Sequence, residues 1–156
     1  MDNPLLIVPM MLRAKRPSRL SDMPAHSNGF WLGKSYQALT FFGHILTHSE
    51  QAARLLNNNY NATKNHEMIH LRQAQACHDS WLWFYVLYIG YYLRDLPLGR
   101  RQRREAYLLN PFEMEAYRHM NDPDYPDLCR QQGAQEWRRF AKMKLKERKM
   151  IMNYKP

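Results

Sequence analysis

The feature that most constrains the fold is a long stretch of the chain without helix-breaking residues. No proline or glycine interrupts residues 62 to 80, and apolar residues recur there at spacings that suit a partly buried helix. Asn61 and Thr63 are both candidates for capping its first turn. A second, more apolar segment from 81 to 95 follows directly and has to end before Pro97. The sequence therefore predicts two consecutive helices in the middle of the chain.

The segments before this pair have the composition of strands. Residues 5–12 (LLIVPMML) and 30–49 are rich in aliphatic, aromatic and β-branched side chains, and the polar, proline-containing residues 13–29 between them indicate a loop. Within 30–49 we expect one or two strands, either joined by a hairpin turn at Gly33 or distorted by a bulge at Gly43.

The segments after the pair predict further helix. A helix is expected over about 103–120 with a break at Pro111, which lacks a backbone donor, and a basic helix over 133–149. The smaller predicted elements are a helix of one or two turns at 50–56, a polar loop at 57–65 and a turn-rich loop at 121–127. Strands first and helices later indicate an α+β fold, with a small antiparallel or mixed sheet beside the helix predicted from residue 62 and a helical C-terminal half.

Length and composition fit a globular protein. The 156 residues suit one domain over 1–156, with a strand and loop at 1–30 and a basic helix and tail at 133–156. Apolar residues make up 45% and charged residues 24%, which excludes wholesale disorder. The two cysteines, Cys77 and Cys129, exclude a disulfide scaffold and a cysteine-rich zinc knuckle, and they fit a reducing compartment.

The sequence carries no convincing signal for export or for crossing a membrane. The apolar run at the N-terminus precedes its basic cluster, the reverse of the order in a signal peptide. The most apolar run, residues 81–93, has thirteen residues where roughly 20 are needed to span a bilayer. We therefore expect a cytoplasmic protein in which 81–93 is a buried core helix. An interfacial helix rich in Trp and Tyr is the alternative.

The charge balance points to acidic partners. The net charge is +9 and the pI is near 9.7, which favours association with nucleic acid or anionic lipid. The basic run from Arg138 to Lys149 has two interpretations. It is either a solvated helix face, or a contact with nucleic acid or with an anionic membrane to which the protein would be peripheral.

The stretch KNHEMIHLRQ, residues 64–73, carries the clearest chemistry. His66 and His70 lie four positions apart, so on a helix both imidazoles face one side and can bind one zinc ion. Glu67 lies roughly 100° around the helix from His66, where it reaches a water rather than the ion. This is the general-base position of an HExxH site. The alternative is a polar helix with two exposed or hydrogen-bonded histidines.

A second motif, NPFEMEAYRH at 110–119, offers the carboxylate that such a site needs. A catalytic zinc ion keeps three protein ligands and one open position, so a glutamate would complete a His₂Glu set. Glu113 and Glu115 are both available, and an acidic pair in a strongly basic chain suggests compensation for a cation. The alternative is an exposed acidic turn.

Together the two motifs resemble the gluzincin zinc metallopeptidases. They place HExxH on one helix and a glutamate in an E-x-x-A segment on the next, and in size the chain is similar to the single-domain minigluzincins. The resemblance spans about residues 36–120 and extends to short bacterial proteins with NHE-x-I-H and FE-x-EAY elements. It implies that His66, His70 and Glu113 bind one zinc ion while Glu67 activates water.

The resemblance also suggests supporting roles. Gluzincins often have an aspartate four residues after the ligand glutamate, where it orients a ligand histidine, and Tyr117 occupies that position here. Tyr117, His119 and Glu115 are candidates for supporting a ligand or for oxyanion stabilisation, with Tyr107 a further oxyanion donor. An edge strand would hold the substrate in extended form, and residues 37–46 are the candidate for it.

The sequence thus predicts a zinc-dependent hydrolase, a metallopeptidase acting on peptide or protein substrates. The alternative is a protein of another class, a non-catalytic one whose zinc is structural or lost. Its basic tail would then contact nucleic acid or an anionic membrane. The sequence makes no prediction about the oligomeric state or the cleavage preference.

Overall fold

The computed structural model describes residues 24–27, 38–58, 61–96 and 103–153. Three strands precede the helices in this part of the chain, which confirms the predicted α+β class. The predicted strand at 5–12 and the alternative hairpin turn at Gly33 lie outside the described residues.

The strands form one small mixed sheet in the order β1-β3-β2: β1 (Ala25–Ser27), β2 (Ala38–Phe41) and β3 (His44–Thr47). β1 runs parallel to β3, and β2 runs antiparallel to it. The loop predicted for 13–29 is wrong at its end, because β1 lies inside it. Its three residues have no strand pattern of their own, and β3 supplies their main-chain partners. In the described sheet β2 lies at an edge.

A two-residue turn, Phe42 and Gly43, joins β2 to β3. Both residues have positive φ, 44° and 84°, which is the type I′ geometry that matches the twist of paired strands. Of the two alternatives at this point, Gly43 therefore makes a hairpin turn and not a bulge.

Eight helices follow in the described residues: α1 (Glu50–Asn58), α2 (Ala62–Ala76), α3 (Trp81–Asp95), α4 (Arg103–Leu108), α5 (Pro111–His119), α6 (Tyr125–Leu128), α7 (Trp137–Lys142) and α8 (Leu145–Asn153). The break predicted at Pro111 is confirmed, and this proline opens α5, where its missing N–H costs nothing. The loop predicted for 121–127 is wrong at its end, because α6 begins at Tyr125.

Side-chain caps set the bounds of the two central helices. Of the two capping candidates, the Asn61 side chain caps α2 by accepting a hydrogen bond from the backbone N–H of Thr63 at 2.7 Å. The helix ends at Ala76, before the predicted end near residue 80. His78 and Asp79 cause the early end, because both adopt positive φ, 60° and 55°, and turn the chain into α3.

The basic helix predicted for 133–149 is wrong as one continuous element. It is divided into α7 and α8 at Met143, which is extended with ψ of 148°. The new helix starts after Lys144, whose backbone N–H donates to the side chain of Glu147 at 2.7 Å, as in half of a capping box. The break lets Arg148 turn inward, where it is 1% exposed and pairs with Asp95 at 2.7 Å. Arg148, one residue of the basic run from Arg138 to Lys149, is therefore a buried ion-pair partner and is not part of a solvated helix face.

Helix α2 runs through the centre of the described fold. Every residue from Lys64 to Ala76 is buried, polar and apolar alike. The helix packs against β2 on one side and against α5, α3 and α6 elsewhere. Buried polar groups need partners, so the surrounding elements have to supply hydrogen bonds as well as apolar contacts.

Helix α3 is only half covered. Trp81 and Phe84 are buried, but four aliphatic residues on its outer face are exposed: Leu82, Val86, Ile89 and Leu93. The prediction of a buried core helix is therefore wrong for this outer face. Among the described residues, no helix has the length and apolar character that crossing a membrane requires.

Gly133 is a position where only glycine fits. Its φ is +73°, and a Cβ there would lie 2.5 Å from the backbone nitrogen of Ala76 and 2.6 Å from the carbonyl oxygen of Arg72. We expect Gly133→Ala to lower the free energy of unfolding by more than about 1 kcal/mol, from both the left-handed conformation and the clash.

The matched control is Gly90→Ala. Gly90 lies inside α3, and no atom of a neighbouring element lies within 4 Å of the point that a Cβ would occupy. Alanine there should raise the free energy of unfolding by about 0.5–1 kcal/mol, because it loses less conformational freedom on folding. Urea unfolding of both variants measures the two effects. Equal effects of the two substitutions would contradict the close packing of Gly133 on α2.

Candidate metal centre

Three buried side chains converge between α2 and α5. Nε2 of His66 lies 3.2 Å from Nε2 of His70 and 3.2 Å from Oε2 of Glu113. Nε2 of His70 lies 3.4 Å from the other carboxylate oxygen of Glu113. The histidines are one turn apart on α2, and Glu113 is in the first turn of α5, which packs against α2.

These separations fit a metal ion. Ligand atoms at 2.0–2.2 Å from a tetrahedral zinc ion are about 3.3–3.6 Å apart. Two imidazole nitrogens and a carboxylate are all acceptors when the histidines are neutral, so a cation is needed to satisfy them together. Oε2 of Glu113 is buried and has no hydrogen-bond partner in the described part of the chain. The three residues thus form a group that could hold a metal ion.

The charges of the cluster favour a cation. Burial lowers the pKa of His70, but the Glu113 carboxylate, with smaller contributions from Glu67 and Gln73, outweighs it and raises the pKa to about 9. Burial raises the pKa of the Glu113 carboxyl, but His70 and His66 hold it well below its usual range. Glu113 is therefore ionised at neutral pH, and its charge favours positive charge on His70.

Gln73 fixes the orientation of His70. Its Oε1 lies 2.8 Å from Nδ1 of His70, and its amide nitrogen donates to the carbonyl of Phe112 at 2.9 Å and to Oε2 of Glu115 at 2.8 Å. Because both amide hydrogens are used, Oε1 faces His70 as an acceptor. In its neutral form His70 then donates from Nδ1 and presents Nε2 to the cluster as an acceptor, which is the tautomer that a metal ligand needs.

Glu115 holds Gln73 from behind. It is fully buried, and its second oxygen accepts hydrogen bonds from the hydroxyl of Tyr125 at 2.8 Å and from the backbone N–H of Glu136 at 2.7 Å. Burial raises the pKa of Glu115, which these hydrogen bonds oppose. The structure therefore connects Glu115 to His70 through Gln73, which hydrogen-bonds with both side chains.

His119 lies further out along the same network. Its Nε2 is 2.6 Å from Oε2 of Glu136, and its ring stacks on Tyr125 with 3.7 Å between centroids. The contacts of its side chain in the described residues are on this outer side. The structure does not bring His119 to the three converging side chains.

His66 is held in a different way. Its Nδ1 is buried and has no hydrogen-bond partner among the described residues. The ring of Tyr117 packs edge-on against the imidazole, with 4.6 Å between centroids. Tyr117 thus restrains His66 by packing, at the position where gluzincins often have an aspartate that would accept from Nδ1.

Two further tyrosines surround Glu113. Tyr88 donates its hydroxyl to Oε1 of Glu113 at 2.6 Å, and the ring of Tyr107 packs against that of Tyr117 with 6.4 Å between centroids. Burial and then the charge of Glu113 raise the pKa of both Tyr88 and Tyr107. Both phenols therefore stay protonated, and Tyr88 is a donor to the carboxylate.

Glu67 is positioned by the edge strand. The hydroxyl of Thr40, on β2, lies 2.8 Å from Oε2 of Glu67 and 2.9 Å from its backbone carbonyl oxygen. The charge of Glu67 also contributes to the raised pKa of His70 and of Tyr88. One threonine thus aligns the carboxylate and joins α2 to the edge of the sheet.

Comparison of the chain with protein-family models, with curated proteins and with solved structures finds no match. The gluzincin resemblance therefore depends on the two motifs alone.

Three residues that contact the site were not predicted from the sequence. Gln73 lies three positions after His70, a spacing at which helical side chains meet, so this contact was open to prediction. Thr40 and Tyr88 come from β2 and α3, and no spacing in the sequence indicates that these elements bring a hydroxyl to Glu67 and Glu113.

The contact of Gln73 with His70 leads to a prediction about metal affinity. We expect Gln73→Met to weaken zinc binding by about 10–100-fold, the usual effect of removing a group that orients a ligand. Competition with a chromogenic chelator measures it. Gln75→Met is the matched control, because Gln75 is equally buried on α2 but accepts from Arg72 on another side. Equal weakening by both variants would assign the effect to general loss of packing.

The two glutamates of α5 lead to a second prediction. Glu113→Gln should lower zinc occupancy much more than Glu115→Gln, because Glu113 is in contact with both imidazoles and Glu115 acts through Gln73. Metal analysis of both variants, purified in parallel without added zinc, measures the occupancy. The reverse order would move the ligand to Glu115.

Proposed function

We propose that the chain is a zinc-dependent hydrolase, a metallopeptidase of the gluzincin type. The observation that carries the proposal is the convergence of His66, His70 and Glu113 at 3.2–3.4 Å, with Glu67 directly after His66 on α2. A structural zinc site is closed by four protein ligands, whereas a catalytic site has three and leaves one position open. Three candidate ligands converge among the described residues, which favours a catalytic ion.

Each residue of the cluster then has a part. His66, His70 and Glu113 would hold the ion, while Gln73 and Tyr88 orient two of these ligands. Bound zinc would polarise the scissile carbonyl and lower the pKa of water. The burial of His66, His70 and Glu113 keeps bulk water away from these ligands and strengthens the charge interactions among them.

Glu67 is the proposed general base. Its carboxylate takes a proton from the attacking water and delivers it to the leaving amine nitrogen as the C–N bond breaks, so one water is consumed and a carboxylate and an amine are formed. The hydroxyl of Thr40 holds Oε2, and we assign the proton transfer to Oε1. Tyr117 lies against His66, and Tyr107 lies against Tyr117, so these two phenols are the proposed donors to the developing oxyanion.

Strand β2 is the proposed site for an extended peptide. An edge strand offers unpaired main-chain groups that a peptide can extend as a further strand. The side chains of Leu39 and Phe41 are 40% and 50% exposed on the outer side of β2, and Thr40 between them connects the strand to Glu67. The hydroxyl of Tyr85 lies 3.3 Å from the carbonyl oxygen of Thr40, so we place the peptide toward the start of β2.

The decisive test separates proton transfer from metal binding. Glu67→Gln should keep near-normal zinc content and stability but lower peptide hydrolysis by about 10²–10⁴, the usual contribution of a positioned base. His66→Ala should lose the zinc itself. Zinc analysis, thermal unfolding and cleavage of generic unfolded or peptide substrates measure the three properties. Glu50→Gln is the control, because Glu50 is exposed on α1 and pairs with Arg54 alone among its described ion pairs.

Two outcomes would count against this function. If the wild-type protein cleaves substrate and Glu67→Gln is equally fast, Glu67 is not the base. If both proteins hold zinc and neither cleaves any substrate offered, the non-catalytic alternative is favoured, and the tyrosine at position 117 is the first difference from gluzincins to examine.

A further inference from the structure

The outer face of α3 carries a stripe of exposed aliphatic side chains. Leu82, Val86, Ile89 and Leu93 recur every three or four residues, which places them on one side of the helix. Their exposed fractions are 55%, 49%, 54% and 59%. Single exposed aliphatic residues are ordinary, but four on the same side of one helix form a continuous apolar surface of the kind that binds a partner. These four residues are named the apolar face of α3.

Aromatic residues flank the apolar face. Trp83 is 47% exposed on one side of it. On the other side Tyr85 packs against Phe41 of β2, with 6.4 Å between ring centroids, and Phe41 is 50% exposed. Trp and Tyr are enriched where an apolar surface meets water at a bilayer, because their rings are apolar and carry one polar group.

Positive charge gathers at the C-terminal end of the face. Arg94 and Arg148 share the single carboxylate of Asp95, which leaves a net positive charge there. Arg94 also donates to the carbonyl of Ala141, so the exposed Lys142 next to it lies at the same end of α3. The sequence directly after α3 contains RRQRR at 100–104.

We propose that the apolar face of α3 seats on an anionic lipid surface, with its aliphatic side chains among the acyl chains and the basic end against the headgroups. An amphipathic helix binds at an interface through this combination of apolar area and positive charge. A second copy of the chain fits less well, because each copy carries a net charge of +9 and two such copies repel each other. Lipid binding does not require the proposed hydrolysis.

Vesicle flotation with the full chain tests the proposal. The wild-type protein should float with vesicles of phosphatidylcholine containing roughly one third phosphatidylglycerol, more weakly with phosphatidylcholine alone, and less at high salt. Ile89→Gln with Leu93→Gln should weaken vesicle binding at least about tenfold, because burying one aliphatic side chain is worth that factor or more. Glutamine adds no charge and keeps the helix propensity of α3.

Leu128→Gln is the matched control. Leu128 is 77% exposed on α6, so the substitution removes a leucine that is even more exposed, but from another surface, and should leave vesicle binding unchanged. Far-ultraviolet circular dichroism and thermal unfolding of each variant check that the fold is kept. Equal binding by the double variant and the wild type, or no binding of the wild type to anionic vesicles, would overturn the proposal.

Two further readouts identify the occupant of the face. In a Trp31→Phe background, the fluorescence of Trp83 should shift to the blue on vesicle binding and be quenched by brominated lipid, and Trp83→Phe should remove this response, because the remaining Trp81 and Trp137 are buried. Light scattering measures the mass in the absence of lipid. A wild-type dimer that the double variant converts to a monomer, with no vesicle binding, would assign the face to a second copy and refute lipid binding.

Discussion

The burial of α2 is the constraint on which the rest of the structure depends. A helix buried from Lys64 to Ala76 carries histidine, glutamate, glutamine, arginine and asparagine into the interior, and each of these side chains loses its hydration there. The neighbouring elements supply the hydrogen bonds that water would make to these side chains in the unfolded chain. The amide of Asn65, for example, donates to three backbone carbonyls at the end of α5, and Arg72 donates to the carbonyl of Pro126. Hydrogen bonds as well as apolar contacts therefore fix how α5 and α6 sit on α2.

The same requirement explains why the two histidines of the cluster are held unequally. His70 is tied into a chain of buried hydrogen bonds through Gln73 to Glu115, so its tautomer and ring plane are set by groups that are themselves satisfied. His66 is restrained by the ring of Tyr117, which fixes its position but accepts nothing from Nδ1. An imidazole without an acceptor behind it is a less basic ligand, and its tautomer is less strongly fixed. We therefore expect His66 to be the weaker of the two ligands.

Much of this arrangement could be predicted from the sequence, and the limit is physical. The spacing of His66 and His70 and the start of α5 at Pro111 are local features, which short-range rules capture. The same rules missed β1, because its pairing comes from β3, and they missed the break at Met143, because the inward turn of Arg148 toward Asp95 is a tertiary contact. Glu67 was predicted from its place in the motif, whereas the threonine that aligns it lies 27 residues away along the chain.

Helix α3 connects the interior of the site with the outside of the protein. On its inner side Tyr88 donates to Glu113, and Tyr85 contacts the main chain at Thr40 of β2 and at Phe42 of the turn that follows. Its outer side is the apolar face of α3. The two tyrosines therefore join the helix that carries the apolar face to a proposed metal ligand and to the proposed peptide-binding strand.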